Sequence, residues 1–86
     1  MAFIIKVTAP EIAVAAGATK ECYYQRHDEQ TMAVTNSRSC AKKFGKWEEA
    51  QGILMELQWQ QLGFEEDVRL TFTTIQWNEF TEMNIK

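Results

Sequence analysis

The pattern of apolar and polar positions predicts an amphipathic helix over residues 46–62 as the strongest element of the chain. Gly45 is placed to serve as its N-cap, and Gly63 marks its end. Glu48 and Glu49 fall in the first turn, where the helix dipole favours negative charge. One stripe of this helix is wide enough to pack on a sheet, and it holds Trp47, Ala50, Ile53, Leu54 and Leu57.

Four other segments have the strand-like patterns and residue types that predict a sheet. They cover residues 2–8, 21–26, 30–36 and 68–77. In the first segment, Phe3, Ile5 and Val7 are predicted to face the core, with the alternate residues nearer water. In the last segment, the core-facing positions are Val68, Leu70 and Phe72.

The connections between these segments are predicted to differ in character. Residues 27–29 are polar and suit a hairpin loop, which would make His27 an exposed loop residue. A short helix is predicted near residues 9–16, because Thr8 and Glu11 have capping-box spacing and a glycine follows. Residues 37–44 lack clean alternation and are predicted to be an irregular crossover before the main helix.

Together these elements predict an α+β fold in a single small domain spanning residues 1–86. The expected architecture is an antiparallel sheet of about four strands, with the main helix packed across one face. With 45% hydrophobic residues, including ten aromatic side chains, the chain is expected to form a core without staples. Its two cysteines, Cys22 and Cys40, are expected to be reduced, half-buried thiols in a cytoplasmic protein.

The main helix carries more apolar surface than one buried face requires. Met55, Trp59 and Leu62 form a second patch next to Gly52, which exposes backbone. In one interpretation, the C-terminal tail folds back and covers this patch with Trp77 or Phe80.

In the alternative interpretation, the patch docks a partner protein. Tryptophan is enriched at binding hot spots, and methionine adapts its shape to a partner. Glu48 and Glu56 would then form a charged rim. Self-association into a homodimer through the same patch would produce the same sequence pattern.

Charge is distributed unevenly along the chain. Residues 1–47 carry seven basic and four acidic side chains, whereas residues 48–86 carry two basic and eight acidic side chains. The one basic cluster precedes the main helix and could contact phosphate or nucleic acid. This cluster consists of Arg38, Lys42, Lys43 and Lys46. A solvated basic surface is the other interpretation of these four residues.

The residue types that carry chemistry do not assemble into a catalytic or metal-binding motif. His27 and Asp28 are adjacent in a predicted turn and have no nucleophile beside them. Residues 65–67 are acidic but lack the ligand spacing of a calcium loop. We therefore expect no enzyme activity, metal or cofactor, and the short apolar runs predict no membrane span.

The succession "CYYQR … TMAVT … CAKKFGKWEEAQGIL" within residues 22–54 resembles a pattern in small phage and mobile-element accessory proteins. In those proteins, strands form a sheet and a helix packs across it. The resemblance implies a function like that of phage-encoded inhibitors, including anti-CRISPR proteins, which bind a host protein complex. On this basis, the protein is expected to act in the host cytoplasm by sterically blocking a defence complex.

Overall fold

A computed structural model describes residues 2–29 and 31–78 of the chain. Within them, an antiparallel four-stranded sheet in the order β3-β2-β1-β4 carries the main helix on one face, which confirms the predicted α+β fold. Lone 3-10 turns occupy Arg38–Cys40 and Glu66–Val68. The elements are β1 (Ala2–Thr8), α1 (Glu11–Ala15), β2 (Glu21–His27), β3 (Met32–Thr35), α2 (Trp47–Gln61) and β4 (Thr71–Trp77).

The two faces of the sheet are both used for packing. Ile5 and Val7 face α2, as the alternation in β1 predicted, and Phe3 packs against the same cluster. The prediction that the alternate residues lie nearer water is wrong for Ile4, which is fully buried on the opposite face. There it belongs to a smaller cluster with Tyr23 and Ala41. The main core cluster contains Ile5, Val7, Tyr24, Phe44, Ala50, Leu54, Leu57 and Phe72.

The irregular crossover after β3 is inserted between two strands of the sheet. β1 and β2 pair only between residues 6–8 and 21–23. Beyond this point, Phe3 and Phe44 exchange backbone hydrogen bonds, and the Lys42 N–H donates to the carbonyl of Tyr24. Residues 42–44 therefore satisfy backbone groups that β1 and β2 would otherwise leave unpaired.

The ends of the helices differ from their predicted caps. Lys46, rather than Gly45, is the N-cap of α2, and its extended backbone has no side-chain capping bond. Pro10 is the N-cap of α1, so Thr8 and Glu11 do not form the predicted capping box. Gly17 follows α1 with a φ of 104°, a conformation that glycine adopts without the steric cost of a Cβ.

Two apolar residues lie outside the core that the sequence pattern assigned to them. Trp47, predicted on the buried stripe of α2, is 49% exposed because it stands in the first turn, at the end of the helix. Val68 closes the 3-10 turn before β4 and is also exposed, so the fourth strand begins at Thr71 rather than at residue 68. Phe72 is buried in the main core as predicted.

Candidate protein-binding surface on the main helix

Three large apolar side chains form an exposed stripe along α2, extending onto its C-cap. Met55 is 64% exposed, Trp59 is 75% exposed and Leu62 is 55% exposed. They are spaced four and three residues apart, so they lie on successive turns of one helix side. We call these three residues the α2 stripe. Because the Trp59 indole is mostly exposed, folding of the chain buries little of its apolar surface. A partner protein that covered the indole would gain the free energy of burying that surface.

The stripe is exposed because another side of α2 is buried. Ala50, Leu54 and Leu57 are the buried residues of the helix. The helix contacts β4 and β1, and the Thr74 hydroxyl donates a 2.7 Å hydrogen bond to Gln51 Oε1. These contacts set the rotation of α2 about its axis.

The predicted cover for the stripe does not come from Trp77. Trp77 is the last residue of β4 and pairs with Ala2 on the neighbouring strand. It packs against the cluster of Ile4, Tyr23 and Ala41, on the sheet face opposite α2. Phe80, the other predicted cover, lies outside the described residues.

The exposed surface of α2 is acidic as well as apolar. Glu48 and Glu49 are exposed in the first turn, and Glu56 is exposed one residue after Met55. No lysine or arginine occurs between residues 47 and 61. A partner surface that matches this side of the helix would therefore be apolar at its centre and neutral or basic at its edge.

Gly52 lies on an exposed part of the helix and is not needed for close packing within the fold. Apart from its chain neighbours and the backbone of its own helix, an added Cβ would meet no atom within 4 Å. We expect Gly52→Ala to raise the free energy of unfolding by about 0.5–1 kcal/mol, because alanine loses less backbone entropy in a helix. Urea denaturation followed by circular dichroism would measure this change.

Gly17→Ala is the matched control, because Gly17 has a positive φ that alanine adopts only with strain. We expect this variant to lower the free energy of unfolding. A loss of stability in Gly52→Ala would contradict the open environment of Gly52.

A chain of polar contacts links β2 to the acidic side of α2. The Tyr24 hydroxyl lies 2.6 Å from His27 Nδ1, and His27 Nε2 lies 3.3 Å from Glu56 Oε1. His27 is the last residue of β2, and its side chain is only 10% exposed, so the prediction of an exposed loop histidine is wrong. Sequence reasoning missed this group because its three members come from two elements. Strand alternation in β2 could have indicated that Tyr24 is buried, but it does not indicate the contact with His27 or Glu56.

Because the Tyr24 hydroxyl is hydrogen-bonded to His27, removing it should change the free energy of unfolding by an amount that depends on pH. Burial, and then the negative charge of Glu56, raises the pKa of Tyr24 above its ordinary value of 10.0. The native state therefore holds this proton more tightly than the unfolded chain does. The stability that the raised pKa of Tyr24 contributes is complete below about pH 10, and it is lost as the pH rises through the native pKa.

We expect Tyr24→Phe to cost about 1 kcal/mol of unfolding free energy at neutral pH, because it leaves His27 Nδ1 without this hydrogen bond. The difference from wild type is expected to shrink at alkaline pH, and urea titrations across this range would measure it. An equal difference at every pH would contradict the linkage. Comparing the two proteins cancels the effect of Cys22, whose pKa burial also raises.

The four residues of the predicted basic cluster do not share one environment, since two contact aromatic rings and two are exposed. Arg38 Nε donates a 2.9 Å hydrogen bond to the Tyr23 hydroxyl, and its guanidinium lies 5.6 Å from the centre of that ring. Lys43 Nζ lies 4.7 Å from the centre of the Trp77 ring. Lys42 and Lys46 are exposed. Two of the four cations therefore interact with aromatic rings on the sheet face opposite α2.

The cysteines are both free thiols, but they differ in burial. Cys22 is half-buried as predicted, whereas Cys40 is exposed, since it ends the 3-10 turn of the crossover. Among the described residues, no three histidine, cysteine or acidic side chains are placed to hold a metal ion. No helix in the same part of the chain is long and apolar enough to cross a membrane.

Comparisons with protein-family models, with curated proteins and with solved structures find no match to this chain.

Proposed function

We propose that this protein is a non-enzymatic protein-binding module that docks through the α2 stripe. The observation that carries the proposal is the exposure of Met55, Trp59 and Leu62 on one side of a helix whose other side is buried. An amphipathic helix of this kind fits an apolar groove on a partner, with anchors one turn apart. The partner would bury the three side chains and leave Glu48 and Glu56 at the rim.

The mechanism we propose is steric. A helix surface of apolar, acidic and neutral polar groups can occupy a site on a larger complex without any chemistry of its own. The resemblance within residues 22–54 supports a phage-encoded inhibitor of a host defence complex as the form that this binding takes. The partner would then be a host protein, and the protein would act in the host cytoplasm.

Affinity capture with purified tagged protein tests this proposal. Nuclease-treated bacterial lysate is passed over wild-type protein, Trp59→Ala and Ile12→Ala, and bound proteins are identified and quantified. Ile12 is an exposed apolar residue on α1 and serves as a matched control outside the stripe. We expect a stoichiometric protein to be retained by wild type and Ile12→Ala and lost by Trp59→Ala. Equal retention by all three would contradict the proposal.

Self-association predicts a different result from the same variants. Light scattering over a range of concentrations would show a dimer of wild type and of Ile12→Ala, and a monomer of Trp59→Ala. A dimer that responds in this way would assign the α2 stripe to a homodimer contact. A monomer at all concentrations would leave the stripe available to a host protein.

A second candidate is nucleic-acid binding by the basic cluster. It is favoured by the position of Arg38 and Lys43 on one sheet face, where two cations can attract phosphate groups. If this candidate holds, binding of a labelled single strand should weaken steeply with salt, and Lys42→Ala with Lys46→Ala should reduce the salt slope. Binding that is absent at low salt would exclude it.

A further inference from the structure

The helix-facing side of the sheet is only partly covered, because α2 packs mainly against β4 and β1. A groove of about 440 Å³ lies on this face, between α1 and the strands β1, β2 and β3. Its apolar lining includes Val7, Cys22, Leu70, Met32, Val34 and Ala13. Its volume falls in the range of about 300–1,000 Å³ that is typical of small-molecule sites.

The groove is lined by uncharged groups. Most of its lining side chains are apolar, and none is acidic or basic. The pKa of the Cys22 thiol is raised by burial, which favours the neutral thiol in this setting. An ion that entered would lose hydration without gaining a counter-charge, and this costs free energy. The lining therefore favours an occupant with an uncharged, mainly apolar body.

A few hydrogen-bonding side chains complete the lining. Asn36, just after the end of β3, and Thr19 bring an amide and a hydroxyl to the lining. Small-molecule sites commonly combine an apolar wall with a few such groups, which orient the ligand. One polar group on the ligand could bond here while its apolar part lies against Cys22 and Met32.

We propose that this groove binds a small uncharged apolar molecule that carries one hydrogen-bonding group, of the class of a medium-chain alcohol. The site is separate from the α2 stripe, and it does not depend on the proposed protein partner. The ligand would bury apolar groove surface that α2 leaves open.

The test uses the 86-residue chain and the neutral dye N-phenyl-1-naphthylamine, with 1-decanol as the competitor of the dye. We expect saturable fluorescence at one dye per chain, and decanol should displace the dye. Val34→Asp places a charge in the groove at a position that is already exposed, and it should weaken dye binding by about tenfold or more. Ile12→Asp, at an exposed position of α1 outside the lining, should bind as wild type does.

A second variant keeps the proposal testable if Val34→Asp does not fold. Ala13→Leu fills the groove with apolar atoms and should also weaken dye binding. In a Cys40→Ser background, decanol should slow alkylation of Cys22 by iodoacetamide, because the ligand covers the thiol. This protection reports on the groove directly and does not depend on dye fluorescence.

Several results would overturn the proposal. These are the absence of saturable dye binding, equal weakening by Val34→Asp and Ile12→Asp, and no protection of Cys22 by decanol. Loss of dye binding in Trp59→Ala would place the dye on the α2 stripe instead. A dimer that Val34→Asp converts to a monomer would show that a second copy of the chain occupies the groove.

Discussion

Replacing Trp59 with alanine is expected to weaken partner binding by about 100-fold or more, because large indoles at the centre of an interface carry much of its free energy. The same change should alter the free energy of unfolding by no more than about 0.5 kcal/mol, because the side chain is 75% exposed in the free protein. Binding to the captured partner would be measured by calorimetry, and stability by urea denaturation.

Trp47→Ala is the matched control for this experiment. Trp47 is also an exposed tryptophan of α2, but it lies twelve residues from Trp59 and outside the α2 stripe. We expect it to bind the partner with nearly wild-type affinity. Equal losses in the two variants would mean that binding does not depend on the stripe. A loss of several kcal/mol of stability in Trp59→Ala would instead mark Trp59 as a core residue.

Replacing Phe44 with alanine is expected to lower the free energy of unfolding by about 3–5 kcal/mol. Phe44 is 6% exposed and its ring stacks on Tyr24 at a centroid distance of 6.3 Å. Its backbone also pairs with Phe3, and its ring belongs to the main core. Both contacts anchor the inserted segment. Since small domains are stable by only about 5–15 kcal/mol, this variant should lose a large share of its stability.

Phe64→Ala provides the comparison, because Phe64 follows α2 and is mostly exposed. We expect its cost to stay below about 1 kcal/mol. Urea denaturation of both variants would measure the difference between them. Similar values for Phe44→Ala and Phe64→Ala would contradict the insertion of residues 42–44 as an anchored part of the core.

The sequence pattern predicted the regular elements well, because each depends on neighbouring residues. The predicted helix at residues 46–62 differs by one residue at each end from Trp47–Gln61. The pattern also predicted the strand at residues 2–8 and the β2–β3 hairpin. Within β2, the adjacent Tyr23 and Tyr24 face opposite sides of the sheet, as strand geometry requires. Periodicity carries this information because side-chain direction follows from local backbone geometry.

The errors occur where position in the fold overrides local pattern. Trp47 fits the buried stripe of α2, but it is the first residue of the helix and remains half-exposed. Val68 fits a strand, but the chain turns through a 3-10 helix before β4 begins. His27 has the neighbours of a loop residue, yet strand β2 extends to include it and α2 brings Glu56 to its ring.

For the candidate site, the sequence by itself determined which residues are available. It placed Met55, Trp59 and Leu62 on one side of a helix, and it left open whether the chain covers them. Tertiary structure decided that α2 buries another side against β1 and β4, and that Trp77 lies on the opposite face of the sheet. It also decided the insertion of residues 42–44, the Tyr24–His27–Glu56 chain and the groove beside β2 and β3. These features depend on contacts between residues far apart in the chain, and local periodicity carries no information about such contacts.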